Sequence, residues 1–192
     1  MKKHPVVFDL ETKHTFREFG EAKKLGISVI SLYDYTTAKG YVFTEREIGA
    51  VFPFFERASY LVGYNINSFD LPVFQAYYPG NTLSFATLDI LDEIKNKIGK
   101  RLALNDIAHA TLGKKKSGHG LQAIDFYKEG KWDELKKYCL DDTMITKEVF
   151  DYGIKYKEIN YLNEYGKSSI AVDWGKYLED QGKNDTAMTL PF

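Results

Sequence analysis

Val6-Val7-Phe8-Asp9-Leu10-Glu11-Thr12 decides how the rest of the chain is read. The run is β-branched and aromatic, the composition of a short buried strand, and it ends in two carboxylates two residues apart. Side chains alternate along a strand, so Asp9 and Glu11 share one face while Phe8 and Leu10 pack on the other. Two neighbouring acids repel each other, and a hard divalent cation would remove that repulsion. An isolated Asp-x-Glu fits equally a strand running out into a polar loop. The matter turns on whether further carboxylates arrive in matching places.

Working outward, residues 13–24 are polar and charged and read as a loop or an excursion between strands. Ile27–Tyr35 and Gly40–Phe43, separated by the turn-prone Thr36–Lys39, predict an antiparallel hairpin. Glu45–Arg57 has helical spacing, with Ile48, Val51, Phe52 and Phe55 on one side. Tyr60–Tyr64 is another buried strand. It feeds Asn65-Ile66-Asn67-Ser68-Phe69-Asp70-Leu71-Pro72, a turn followed by a helix start, because proline suits a first helical turn but not an interior. Asp70 therefore begins a helix that leaves the end of a strand, as an N-cap or as a third functional acid.

Phe85–Leu91 reads as a strand, Asp92–Ile98 as a helix, and Asn105–Leu112 as a helix capped from Leu102–Asp106 and ended by Gly113. From Lys95 to Lys116, seven basic residues face only Asp106. That is a solvated surface or a rim for phosphates, and Lys114, Lys115 and Lys116 are its candidate contacts. Lys114–Gly120 lacks a phosphate-cradling glycine pattern, and no dinucleotide fingerprint occurs.

Asp133–Phe150 is the strongest helical pattern. Leu135, Tyr138, Asp142, Ile145 and Val149 form its inward stripe, with Tyr138 and Asp142 one turn apart. An aspartate inside an apolar stripe is uncommon unless paired or metal-bound. The competing reading rotates the stripe so that Cys139 and Thr146 point inward and Asp142 lies at its edge. Four carboxylates in these contexts suffice for two divalent ions, and two ions about 4 Å apart suit in-line displacement at phosphorus.

Composition narrows the class. The 192 residues, 28% charged and 44% hydrophobic with net charge −1, suit one globular domain with a small appendage. No apolar run is long enough to span a membrane. Met1–Pro5 enters the strand too directly for a secretory signal. The single cysteine, Cys139, excludes an internal disulfide framework and fits a reducing, cytoplasmic setting. The four histidines show no zinc-ligand spacing.

FDLET, GYNINSFDLPVF and YCLDD resemble the three motifs of the DEDD superfamily of 3′→5′ exonucleases. The tyrosine (DEDDy) subtype fits best, since Tyr138 precedes Asp142 by four, whereas the histidine subtype would place His where Lys137 stands. The likeness is to the proofreading domain of family-B DNA polymerases and their stand-alone relatives. It spans about residues 5–150, and no polymerase domain follows. The resemblance implies an RNase H-like α/β fold with a mixed, mainly five-stranded sheet flanked by helices. It also implies two divalent cofactor ions, Mg²⁺ or Mn²⁺, held by Asp9, Glu11, Asp70 and Asp142. Asp9 would bridge both, Glu11 and Asp142 would complete the first site, Asp70 would support the second, and Tyr138 would orient the attacking water. Leu10, Thr12, Asn65 and Phe69 would meet the terminal nucleotide. The implied activity is removal of nucleotides from single-stranded 3′ ends, DNA before RNA, in repair, proofreading or defence. A catalytically silent nucleic-acid-binding module is the alternative from another class.

The division expected is a domain over residues 1–152 and an extension over 153–192. Within the extension Ile159–Tyr165 and Ser168–Trp174 read as a hairpin about Gly166–Lys167, and a polar, mobile tail follows. Tyr152, Tyr156, Tyr161 and Tyr165 fit either base stacking or ordinary packing. Residues 187–192 are similar to bacterial sliding-clamp peptides, with Ala187 where those carry glutamine. A polymerase, a helicase or a clamp are the partners this suggests.

Overall fold

The computed structural model describes residues 3–114 and 122–178. Lys115, Lys116, the tail after Leu178 and the clamp-like residues 187–192 lie outside them. The opening stretch forms β1 (Val6–Thr12), followed by α1 (Phe16–Phe19), β2 (Ile27–Asp34), β3 (Lys39–Thr44), α2 (Phe52–Arg57), β4 (Leu61–Gly63) and α3 (Asp70–Phe74). Then come β5 (Thr87–Asp89), α4 (Ile90–Ile98), α5 (Leu104–Leu112), α6 (Gln122–Lys128), α7 (Trp132–Tyr156), β6 (Glu158–Asn163) and β7 (Gly166–Ala171).

Five strands form a mixed sheet in the order β3-β2-β1-β4-β5. β1 pairs antiparallel with β2, from Val6 opposite Asp34 to Thr12 opposite Ile27, with a register shift between Glu11 and Thr12. It pairs parallel with β4 on its other side. β1 is thus the central strand, hydrogen-bonded on both edges, and its period of two sorts its residues. Val6, Phe8 and Leu10 enter a core with Phe55, Leu71 and Phe74 from α2 and α3. Val7 enters a second core with Ile107 of α5 and Val149 and Phe150 of α7. Asp9 and Glu11 share the parity of Val7 and so face α7.

The hairpin β6–β7 packs into that second core through Ile159 and Ile170, and Val172 and Trp174 follow. Trp174, 1% exposed, lies against Gly153 of α7 so closely that a Cβ there would come within 2.2 Å of Cε3. Tyr152 and Tyr156 pack ring to ring at 4.4 Å, while Tyr165, in the hairpin turn, is 90% exposed.

Several sequence-based boundaries shift, each for a local reason. The helix expected over 45–57 is broken: Glu45–Ala50 is 3₁₀, and α2 begins at Phe52 with Pro53 in its first turn. Proline has no N–H to continue the preceding turn. The supposed loop after β1 contains α1, started by a capping box in which Thr15 and Glu18 satisfy each other's backbone N–H groups. The strand expected over 85–91 shrinks to β5 because Asp89 caps α4, accepting from the Leu91 N–H. Helix α5 starts at Leu104 after Ala103, which supplies no side-chain cap. The hairpin turn falls at Glu164–Tyr165, and Gly166, at φ +109°, already belongs to β7.

Candidate active site

Helix α7 buries Leu135, Tyr138, Cys139, Asp142, Thr143, Thr146 and Val149. Its buried face is therefore broader than a single stripe, including the rotated positions Cys139 and Thr146 while Asp142 remains only 2% exposed. Polar contacts set its height against the sheet. Ser31 of β2 donates to the Cys139 carbonyl at 2.8 Å, and the Cys139 thiol donates to the Asp9 carbonyl at 3.5 Å. Burial pushes that thiol well above its ordinary range, so it stays a protonated donor.

With α7 seated there, Asp9, Glu11 and Asp142 converge: one oxygen from each lies within 4.8 Å of the others. Oxygen-only carboxylate donors in this arrangement are what a hard divalent cation takes. These three residues fit a metal ion.

Asp70 arrives from the opposite core. It is 3% exposed, and its Oδ1 accepts from the Leu10 N–H at 3.1 Å, between the two acids of β1. Burial raises its pKa to about 7; the nearby charge of Asp89 adds to the rise, and the Leu10 hydrogen bond opposes it.

A cleft of about 330 Å³ gathers Asp9, Leu10, Glu11, Thr12, Asn65, Phe69, Asp70 and Asp142 in its lining. Thr12 donates its hydroxyl to the His14 carbonyl at 2.8 Å, which shapes the turn away from β1. Phe69 packs 5.7 Å from Phe16, itself 44% exposed, so α1 supplies part of the wall. Tyr138 does not line this cleft. It is 4% exposed, one turn before Asp142, with Phe126 of α6 edge-on at 6.4 Å. Lys114 stands apart from the cleft, ion-paired with Glu148 of α7 at 2.6 Å.

Asp89 carries a role that local pattern does not announce. Its Oδ1 accepts from the Asn65 N–H at 2.8 Å and its Oδ2 from the Asn67 N–H at 2.9 Å. The same carboxylate caps α4, so one buried acid at the end of β5 fixes the loop that presents Asp70. Asn65 adopts the left-handed conformation, φ +69°, which asparagine tolerates better than most residues. Its side-chain oxygen accepts from Arg101 at 2.7 Å, which brings one cation of the basic 95–116 segment to the cleft edge. The sequence signals for these parts were Thr15-x-x-Glu18, announcing α1, and Asp89 directly before an apolar-periodic run.

The sequence matches the family model of the RNase H superfamily over residues 6–153. The chain belongs to the RNase H superfamily. Its fold is similar to the family B DNA polymerase from the hyperthermophilic archaeon Pyrobaculum calidifontis, with a TM-score of 0.63 at 19% identity. That likeness covers 81% of this chain and 25% of the polymerase, and at such identity it speaks for the fold alone. No curated protein matches the sequence. RNase H superfamily membership and the acid cluster together support nuclease activity with divalent metal. No described helix is long and apolar enough to cross a membrane.

Proposed function

We propose that this protein is a 3′→5′ exonuclease of the tyrosine DEDD subtype, removing nucleotides from single-stranded 3′ ends, DNA in preference to RNA. The observation that carries this reading is the convergence of Asp9, Glu11 and Asp142 within 4.8 Å, with Asp70 hydrogen-bonded to the Leu10 N–H between them. Asp9, Glu11 and Asp142 would hold one divalent ion, and Asp9 with Asp70 a second. Bound there, such ions acidify a water and stabilise the departing oxygen.

The chain's own residues do the rest. The cleft between Leu10, Phe16 and Phe69 accepts the terminal nucleotide, and Asn65, held by Asp89 and Arg101, positions it. Tyr138, buried outside the cleft lining one turn before Asp142, would orient the water through its hydroxyl after a side-chain rotation toward the acids. Attack at phosphorus breaks the bond to the 3′-oxygen, leaving a shortened strand with a new 3′-hydroxyl and releasing a nucleoside 5′-monophosphate. Arg101 at the rim offers a cation to the backbone phosphates.

The test is incubation with 5′-labelled single-stranded DNA and RNA of one sequence, with Mg²⁺, Mn²⁺ or EDTA, beside Asp9→Ala and Asp142→Ala. A ladder shortening from the 3′ end, dependent on metal and absent in both variants, is expected, with DNA degraded faster. Faster loss of RNA would make it an RNA-trimming enzyme. Binding without degradation would make it a silent module.

A further inference from the structure

Beyond the end of β1 lies a second cavity, of about 480 Å³, that the acid cluster does not use. Its walls include Lys13, Ser28, Arg46, Tyr127, Trp132 and Lys136. Its lining adjoins that of the site through β1: Lys13 follows Glu11 by two residues, and Ser28 donates to the Glu11 carbonyl at 3.0 Å. Two residues of extended strand span about 7 Å. Trp132 precedes Asp142 by ten residues on α7, about 15 Å along the axis. Lys13 thus borders the acid site, while Trp132, about 15 Å along α7 from Asp142, is placed for a nucleotide further along the same strand.

The chemistry of its walls is that of a nucleotide site. Trp132 is 41% exposed at the mouth and is braced edge-on by Tyr127 at 5.7 Å. Exposed indole rings stack on bases of any sequence. Glu45 also lines the cavity, but Lys13 pairs with it and the Tyr77 hydroxyl donates to it at 2.7 Å. Among the described residues neither Arg46 nor Lys136 is in an ion pair; Arg46 acts on Glu45 and Lys136 on Glu47 only at longer range, so both can turn to a phosphate. The volume lies within the range of small-ligand sites.

We infer that this cavity is a nucleotide subsite in which Trp132 stacks a base and Arg46 with Lys136 hold its phosphate, filled by a strand nucleotide whose 3′ end occupies the acid cluster. The inference rests on the proposed nuclease reading for its occupant. It extends that reading by making strand length, and not only the terminal residue, a determinant of affinity.

The chain carries two tryptophans, and Trp174 is buried, so fluorescence quenching by added ligand isolates Trp132. The probes are (dT)₁₂ and free dTMP at equal nucleotide concentration, in EDTA, with affinity measured in parallel by anisotropy of a labelled (dT)₁₂. Quenching by (dT)₁₂ and not by dTMP is expected in the wild type. Trp132→Phe should keep the affinity and lose the signal. Trp132→Ala should weaken binding between about 5- and 150-fold, the range that removal of a base–aromatic stack costs. The double variant Arg46→Gln/Lys136→Gln should flatten the plot of log affinity against log salt by about 0.7, the share of the one phosphate no longer neutralised. If Trp132→Ala does not fold, the phenylalanine and double variants carry the test.

Anisotropy that reports binding while tryptophan emission stays unchanged, or an unaltered salt slope in the double variant, would overturn the inference. Equal quenching by dTMP would overturn the strand as its occupant. A protein that binds (dT)₁₂ at Trp132 but shortens no oligonucleotide leaves this subsite standing and removes the proposed activity. Shortening with a silent Trp132 does the reverse.

Discussion

Asp142→Asn should make the metal-free protein more stable. Asp142 faces Asp9 and Glu11 with oxygens no more than 4.8 Å apart. At that distance two unit charges repel by about 3.5 kcal/mol at an effective dielectric of ~20 and by about 0.9 kcal/mol in water. Asp142 takes part in two such pairs, so removing its charge relieves between about 2 and 7 kcal/mol before relaxation. Side-chain reorientation and proton uptake absorb part of this, and a net gain of about 2 kcal/mol is the expectation. For a chain of this length that is about 4–8 °C in Tm. Asparagine is nearly isosteric, so packing on α7 is preserved. Metal should reverse the order. At a hundredfold excess over Kd a cation adds about 2.7 kcal/mol to the wild type, and the variant, lacking one carboxylate, should gain far less. Differential scanning fluorimetry at pH 7.5 in EDTA and with Mn²⁺ reads both halves. A variant melting below the wild type in EDTA, or equal gains from Mn²⁺ in both proteins, would refute the argument that the three acids form one cation site.

Two further outcomes follow from packing and charge away from the cleft. Gly153→Ala should destabilise by about 1–3 kcal/mol despite alanine's better helix propensity. Its Cβ would meet Trp174 at 2.2 Å, so the indole must leave its seat. Urea unfolding and a red-shifted Trp174 emission report this, and a change below about 0.5 kcal/mol with unmoved emission would contradict it. Asp34, buried at the end of β2, accepts from the Thr36 N–H, the Thr37 hydroxyl and Arg57. Burial alone would raise its pKa, and these donors outweigh it to leave the carboxyl below its ordinary value. A depressed folded-state pKa stabilises above the unfolded value, near 3.9, and that stabilisation fades as pH falls through the folded value. Asp34→Asn should therefore cost about 1–3 kcal/mol at pH 7, with a difference from wild type in urea titrations that begins to shrink as pH falls below about 3.9. A constant difference across that range would mean the carboxylate's charge is irrelevant.

The sequence was most informative where one period dominates. The alternation Val7-Asp9-Glu11 against Phe8-Leu10, the hairpin after it and the long helix carrying Tyr138 and Asp142 all follow from local spacing, whereas the mixed five-stranded sheet is expected only through the resemblance of the three motifs. Local spacing says less where one residue overrules its neighbours. Pro53 cuts an apparently continuous helix, and its missing N–H was there to be read. Asp89 is a different case: an N-cap is legible before α4, but its grip on the Asn65 and Asn67 amides exists only once β4 and β5 lie side by side. The breadth of the buried face of α7 depends likewise on Ser31 and Cys139 meeting across 108 positions of chain. Lys114, grouped with its neighbours by charge alone, pairs instead with Glu148, a residue 34 positions away.

Helix α7 has a mechanical consequence. Its 25 residues form one rod, and the interval from Trp132 to Gly153 covers about 32 Å of it. The proposed base-stacking ring, the fourth acid and the seat of the hairpin are therefore mounted on a single stiff shaft and move together. A load applied to the hairpin, by a tether or by a docked macromolecule, reaches Asp142 as displacement rather than being absorbed in a hinge. The far end of the molecule is in this sense a handle on the cleft.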